Sequence, residues 1–223
     1  MTDYEGAYRG VRLRVTELLR DRPDVEVEQI APATPEWRIR DVAAHMGGVC
    51  DDIANGNMAG VTTNAWTQAQ VDKRHDWELR RVLDDWEGHA GTVEPMLNDI
   101  GQPIGQMVFD AWTHEQDIRG AFGEPGGRDS AAAEVAFTWF REAAGPAGIG
   151  GGTLEVVTES GTYAIGEGDP IRTLRASRFE LLRTVTGRRS REQVEALDCD
   201  GPPLDAVLFD NDIFTPAARD IVE

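Results

Sequence analysis

Asp110 and His114 stand one helical turn apart in VFDAWTHEQDIRGAFG, residues 108 to 123, and Asp117 follows three residues later. Offsets of four and seven residues share one face of a helix. Here that face also carries Met107, Ile118 and Ala121. Such a face turns to a core, where carboxylates and an imidazole are costly unless something satisfies them. His45 is placed alike on another segment, beside Met46 and three residues after Val42, on an apolar stripe. Two inward imidazoles and one carboxylate on facing helices form a ligand set for a divalent transition ion, zinc first, with iron or nickel also suited. Three protein ligands leave a coordination position for water or substrate, as catalytic zinc sites do. Asp117 is placed to accept the second N–H of His114 and fix its tautomer; the alternative is that it caps a neighbouring arginine. Each piece has a plainer reading. Asp-x-x-x-His is commonly a surface pair, and a histidine on an apolar stripe is commonly a satisfied core residue. Their coincidence on two stripes is what points to a metal.

The elements that must hold these residues are mostly helices. Residues 4 to 20 carry Tyr4, Tyr8, Val11, Val15, Leu18 and Leu19 at helical spacing. DRPDVEVEQIAPATPEW then reads as a loop. A second helix spans about Trp37 to Asn55, with Ile39, Val42, Met46, Val49 and Ile53 on its stripe, and NGNMAGVTTN breaks it. A third runs from about Ala65 to Ile100, kinked near EGHAG. The opening stretch forms the fourth, with Pro103 suited to its first turn and Gly123 to its end. GEPGGRDS is a linker whose Asp129 or Ser130 caps a fifth helix over AAAEVAFTWFREAAG.

The texture changes at GPAGIGGGT. TLEVVTES and GTYAIGEG read as two strands joined by a turn around Ser160 and Gly161. RASRFELLRTVTG reads as a helix, and SREQVEAL as a shorter one with Ser190 as cap and Gln193 three residues on. The tail PLDAVLFDNDIFTPAARDIVE shows short elements without a clear period. The expected architecture is mainly α, an antiparallel four-helix bundle over residues 1–124, a helix and linker over 125–152, and a small α+β part over 153–223. Bundles place metal sites inside, from side chains on facing helices.

Composition narrows the partners. Of 223 residues 40% are hydrophobic, enough for a core. A net charge of −18 disfavours nucleic acid, whose binding rests on Lys and Arg neutralising phosphates, and equally an anionic membrane surface. Cys50 and Cys199 form no paired pattern, so a reducing cytoplasm fits. MTDYEGAYRG is no signal segment, and no apolar run approaches the length of a membrane span.

Other motifs carry less. GIGGGT lacks the Lys and the preceding strand of a phosphate loop and reads as a hinge. There is no nucleophile elbow. Cys50 follows His45 by five residues, which allows an activated thiol, but a small buried core residue is the simpler account. His75 and His89 fall in the charged third helix, on a solvated face. The six tryptophans, Trp37, Trp66, Trp77, Trp86, Trp112 and Trp139, are expected to pack the bundle.

EWRIRDVAAHMGGV resembles the helix-two signature of the mycothiol-dependent maleylpyruvate isomerase family, within the DinB-like superfamily: a Trp, a short polar turn, Asp, and a His about eight residues after the Trp. VFDAWTHEQDIRGAFG resembles the family's second signature, an acidic residue, three others, His, two others, Asp and an aliphatic. TGRRSREQVEAL and FTPAARDIVE resemble the C-terminal part of many uncharacterised members. The resemblance implies a DinB-like bundle that binds a divalent metal, usually zinc, through His45, Asp110 and His114, the same trio the periodicity selects. The family commonly has Glu where this chain has Asp110. Being one methylene shorter, Asp110 must bring the metal closer to the helix or act through a water.

The resemblance also implies mycothiol as cosubstrate. A thiol at the metal's open position becomes a thiolate at neutral pH and attacks an electrophilic carbon of a small molecule. Addition, rotation and elimination give an isomerase; release of the adduct gives a thiol transferase. Arg188 and Arg189 are candidates for holding an anionic substrate, because guanidinium binds carboxylates in a fork; the alternative is ordinary surface arginines. A rival from another class is a non-catalytic metal- or small-ligand-binding bundle with a stress-related or regulatory role. A third is a family member with an empty site that serves as a scaffold.

Overall fold

The computed structural model describes residues 2–202, 204 and 215–223. The part of the expected tail that falls on 203 and 205–214 lies outside the described residues. The chain is mainly helical, with a small four-stranded sheet in its C-terminal part. It divides into two compact units, Met1–Val135 with Glu223, and Ala136–Val222. The division falls inside one helix.

In the first unit, α1 (Tyr4–Leu19) opens on Asp3, whose carboxylate accepts from the Gly6 N–H at 2.8 Å. Its buried stripe is the expected one, Tyr8, Val11, Val15 and Leu19. The stretch expected as loop contains one helical turn, α2 (Asp24–Val27), too short to leave a periodic signal. Next comes α3 (Ile39–Asn55), which opens on a reciprocal cap: Asp41 accepts from the Arg38 backbone N–H at 3.0 Å and holds its guanidinium at 2.7 Å. Gly56, at φ +69°, closes it.

The third expected helix is broken into three, joined by 75–78 and by a 3-10 turn. α4 (Asn64–Arg74) and α5 (Leu79–Val93) are separated at 75–78, and EGHAG runs unbroken inside α5. Both pack on α3, one through Gln70, Val71 and Arg74, the other through Val82, Leu83 and Trp86. One straight helix cannot lie twice against the same partner, so tertiary packing overrides local helix propensity. Pro95 forces a 3-10 turn (Glu94–Met96) before α6 (Leu97–Ile100). Pro103 lies in a second such turn (Gln102–Ile104), just ahead of α7 (Gly105–Phe122), which ends on Gly123 as expected. α7 packs against α1 and α3. α8 (Ala131–Ala143) begins at Ser130, whose hydroxyl accepts from the Ala133 N–H at 3.3 Å. Ser130 rather than Asp129 is therefore the cap.

Two glycines on α3 let its partners close in. A Cβ on Gly47 would meet the Trp86 Cβ at 3.1 Å, and one on Gly48 would meet the Gln70 Cβ at 2.4 Å. Of the six tryptophans Trp86 and Trp112 are fully buried, and Trp37, Trp66, Trp77 and Trp139 are half-buried. Each indole carries an N–H that needs an acceptor. Trp86 donates to the Tyr8 hydroxyl at 2.8 Å; Trp66, half-buried, donates to the Asn57 carbonyl at 3.1 Å.

In the second unit the sheet order is β2-β1-β3-β4. β1 (Thr153–Thr158) and β2 (Gly161–Ile165) form the expected hairpin, in register from Leu154–Ile165 to Thr158–Gly161. β3 (Pro170–Arg175) pairs parallel to β1, and β4 (Asp198–Asp200) antiparallel to β3. Neither β3 nor β4 was expected. In β3 the buried positions are Arg172 and Leu174. Arg172 spends its charge on the carbonyls of Ile149 and Pro202, each at 3.0 Å, and so hides the apolar alternation. Because Arg175 belongs to β3, the next helix, α9 (Arg178–Val185), starts later than expected, on Ser177. α10 (Arg191–Glu195) has the expected reciprocal Ser190–Gln193 cap. Among the described residues no helix is long and apolar enough to cross a membrane.

Candidate metal centre

His45 comes from the middle of α3; Asp110 and His114 come from successive turns of α7. The imidazoles are buried, and the Asp110 side chain, 37% exposed, is the open edge. His45 Nε2 lies 3.3 Å from Asp110 Oδ2, and His114 Nε2 lies 3.6 Å from Asp110 Oδ1. One ligand atom from each of the three residues falls within 4.8 Å of the others, the single such cluster of metal-ligating groups among the described residues. Zinc bonds of about 2.0–2.2 Å put tetrahedral donors roughly 3.3–3.5 Å apart. The shorter Asp110 still brings one oxygen to within 3.3 Å of His45 Nε2 and the other to within 3.6 Å of His114 Nε2, close to that spacing.

The far side of each ring determines what the near side offers. His114 Nδ1 donates to Asp117 Oδ2 at 2.9 Å. His45 Nδ1 lies 2.7 Å from Gln70 Oε1, and Gln70 Nε2 donates to Asp52 Oδ2 at 2.7 Å. Because the Gln70 amide nitrogen is engaged by a carboxylate, its oxygen faces His45, and the His45 proton is on Nδ1. With Nδ1 turned to Gln70 on one ring and to Asp117 on the other, both rings turn Nε2 toward the Asp110 carboxylate. Burial holds the His114 imidazole below its ordinary value, against the pull of Asp110 and Asp117, so that ring is neutral at pH 7. Two imidazole nitrogens and a carboxylate within 4.8 Å of one another are donor types that a divalent transition ion takes. The donor set fits a divalent cation on that ground.

Sequence reasoning missed Gln70, Asp52 and the role of Trp37. Gln70 and Asp52 carry no motif; only the packing of α4 on α3 brings them together. Trp37 was expected only to pack the bundle. Its ring is instead 5.3 Å from that of His45 and 6.0 Å from that of His114, forming a wall over both. The signal was available, since Trp37 is the first residue of the quoted helix-two pattern.

The other singled-out residues lie elsewhere. Arg189 is buried and forks onto Glu180 at 2.6 and 2.9 Å, while Arg188 donates to the Thr186 carbonyl at 2.7 Å. They are therefore not free surface arginines. His75 is exposed beside the Arg38 guanidinium, and His89 is half-buried, its Nε2 3.2 Å from Asp51 Oδ1. Cys50 is fully buried, and burial pushes its thiol up to about 12, beyond the nearby Tyr8 hydroxyl's power to lower it. No thiolate forms there near neutral pH.

No family model and no curated protein matches the chain. Two solved structures do. One is the crystal structure of the mycothiol-dependent maleylpyruvate isomerase, with a TM-score of 0.61 and 12% identity, over 90% of this chain and 94% of that one. The other is a histidine-to-alanine mutant of the mycothiol-dependent maleylpyruvate isomerase, at a TM-score of 0.60 and 11% identity with the same coverage. At such identities the likeness is one of fold.

Proposed function

We propose that this chain is a metal-dependent enzyme that uses mycothiol as thiol cosubstrate to add to or isomerise an electrophilic small molecule, on a DinB-like antiparallel bundle of α1, α3, α5 and α7. The observation that carries this is the convergence of His45 Nε2, His114 Nε2 and the Asp110 carboxylate while both Nδ1–H groups are bonded away from the centre. The fold likeness to a mycothiol-dependent isomerase over most of the chain supports it.

His45, Asp110 and His114 would hold a divalent ion, zinc first, which would supply Lewis acidity that lowers the pKa of a thiol beside it. His45 and His114 provide neutral nitrogen donors, and Asp110 offsets positive charge at the accessible edge. Gln70 and Asp117 fix the rings, and Trp37 keeps water from their outer faces. The thiolate adds to an activated double bond of the substrate. Rotation and loss of the thiol give the isomer; protonation of the adduct and release give a thioether. Arg188 and Arg189 are the candidates to hold a substrate carboxylate, because guanidinium binds carboxylates in a fork. A cytoplasmic setting fits the free thiols of Cys50 and Cys199.

Elemental analysis of protein purified without added metal should find about one zinc per chain, in line with a built site. Thiol-dependent turnover of a panel of electrophiles should vanish in His114→Ala. Chelation should lower the melting temperature of the parent and leave that of His114→Ala unchanged. Substoichiometric metal with melting indifferent to chelator overturns the metal site. Stoichiometric metal without thiol-dependent turnover overturns the enzyme and leaves a metal-binding protein.

A further inference from the structure

The chain behind His45 has a polarity. Asn57 Nδ2 donates to Asp52 Oδ1 at 2.8 Å, Gln70 Nε2 donates to Asp52 Oδ2 at 2.7 Å, and Gln70 Oε1 faces His45 Nδ1 at 2.7 Å. A carboxylate only accepts, whereas a primary amide can present either end. Asp52 therefore decides which end of Gln70 meets His45, and Gln70 decides which ring nitrogen bears the proton. Gln70 is 3% exposed and Asp52 half-buried, so the contact between Gln70 and His45 is the sheltered link. Gly48, three residues after His45 and four before Asp52, leaves the gap that lets Gln70 lie flat against α3.

We infer that Gln70 and Asp52 are positioning residues that lock His45 in the Nδ1–H tautomer and so keep its Nε2 lone pair aimed at the cation. His45 has a competing choice. Its Nε2 is 3.3 Å from Asp110 Oδ2, so a proton on Nε2 would find an acceptor there and block the ligand position. Without a lock on the far side, Asp110 draws the proton inward. α4 contributes no ligand, yet through Gln70 it sets one. This deepens the metal reading proposed above and rests on it for the effect on zinc; the tautomer itself does not.

The test is Asp52→Asn, which keeps the shape and removes the one-way polarity. In the full-length chain stripped of metal, imidazole nitrogen chemical shifts should report His45 as the Nδ1–H tautomer in the parent, with substantial Nε2–H in the variant. Zinc affinity, measured by competition with a chromophoric chelator, should fall about 10-fold, within the range for groups that orient ligands. The double variant Asp52→Asn with Gln70→Glu moves the carboxylate one link closer. The new amide donates to it, and its other oxygen accepts from Nδ1, so the Nδ1–H tautomer and parental or tighter zinc binding should return. An unchanged tautomer in Asp52→Asn overturns the inference. So does a double variant that stays in the Nε2–H form, since mere loss of packing would not be repaired by exchanging the two groups. Absence of zinc binding in the parent would defeat the metal reading while the nitrogen shifts still decided the relay.

Discussion

Two clusters of charged and polar side chains grow from α3 within seven residues of each other, and they are built oppositely. Around Asp51, donors converge on acceptors. Its carboxylate takes Lys73, Arg74 at 2.7 Å and Asn55 at 2.8 Å, and Arg74 reaches on to Asp85 at 2.7 Å. Although burial raises the Asp51 carboxyl, those donors outweigh it and hold the group down to about 2. Around His45, two ring Nε2 atoms and the Asp110 carboxylate face one another while both Nδ1 atoms face away. Burial and charge are common to both clusters. What differs is the inward face: donors meet carboxylates at Asp51, whereas the groups facing one another at His45 are the ligand types of the cation site proposed above.

The sharpest way to break that contrast is to remove the buried cation of the closed cluster. Arg74→Met strands two carboxylates and should cost about 3 kcal/mol or more in denaturant unfolding. Zinc stoichiometry of the folded variant should stay at the parental value; loss of zinc alongside stability would mean the clusters act as one. Acid sharpens the same point. Asp51 is depressed in the folded state, so its contribution is fully present above the ordinary aspartate value and lost as pH falls from about 4 to 2. About 2 kcal/mol should disappear over that window, and this component should be missing from unfolding curves of Asp51→Asn. The smallest effect belongs to Cys50, whose thiol stays protonated. Cys50→Ala should cost about 1 kcal/mol in stability and leave thiol-dependent turnover intact. A proportionate loss of turnover would put a nucleophile where none is proposed.

Much of the first unit was legible because its helices bury apolar residues at helical spacing. α1, α3 and α7 lie where Val11, Val42 and Ile118 required, and their ends follow Asp3, Gly56 and Gly123. The break between α4 and α5 was not legible. Its cause is that both must lie against α3, and no residue at 75–78 announces a stop as Pro or Gly would. β3 was hidden by Arg172, an inward charge satisfied only by carbonyls distant in sequence.

The same division runs through the candidate site. Helical spacing by itself put Asp110, His114 and Asp117 on one face and His45 on a stripe, because periodicity is a local property that the chain carries wherever it folds. It could not bring α3 against α7, insert Gln70 into the space beside Gly48, or lay Trp37 over both rings. Those depend on contacts between residues up to 77 positions apart, which are decided only when the helices pack and every buried polar group must find its partner.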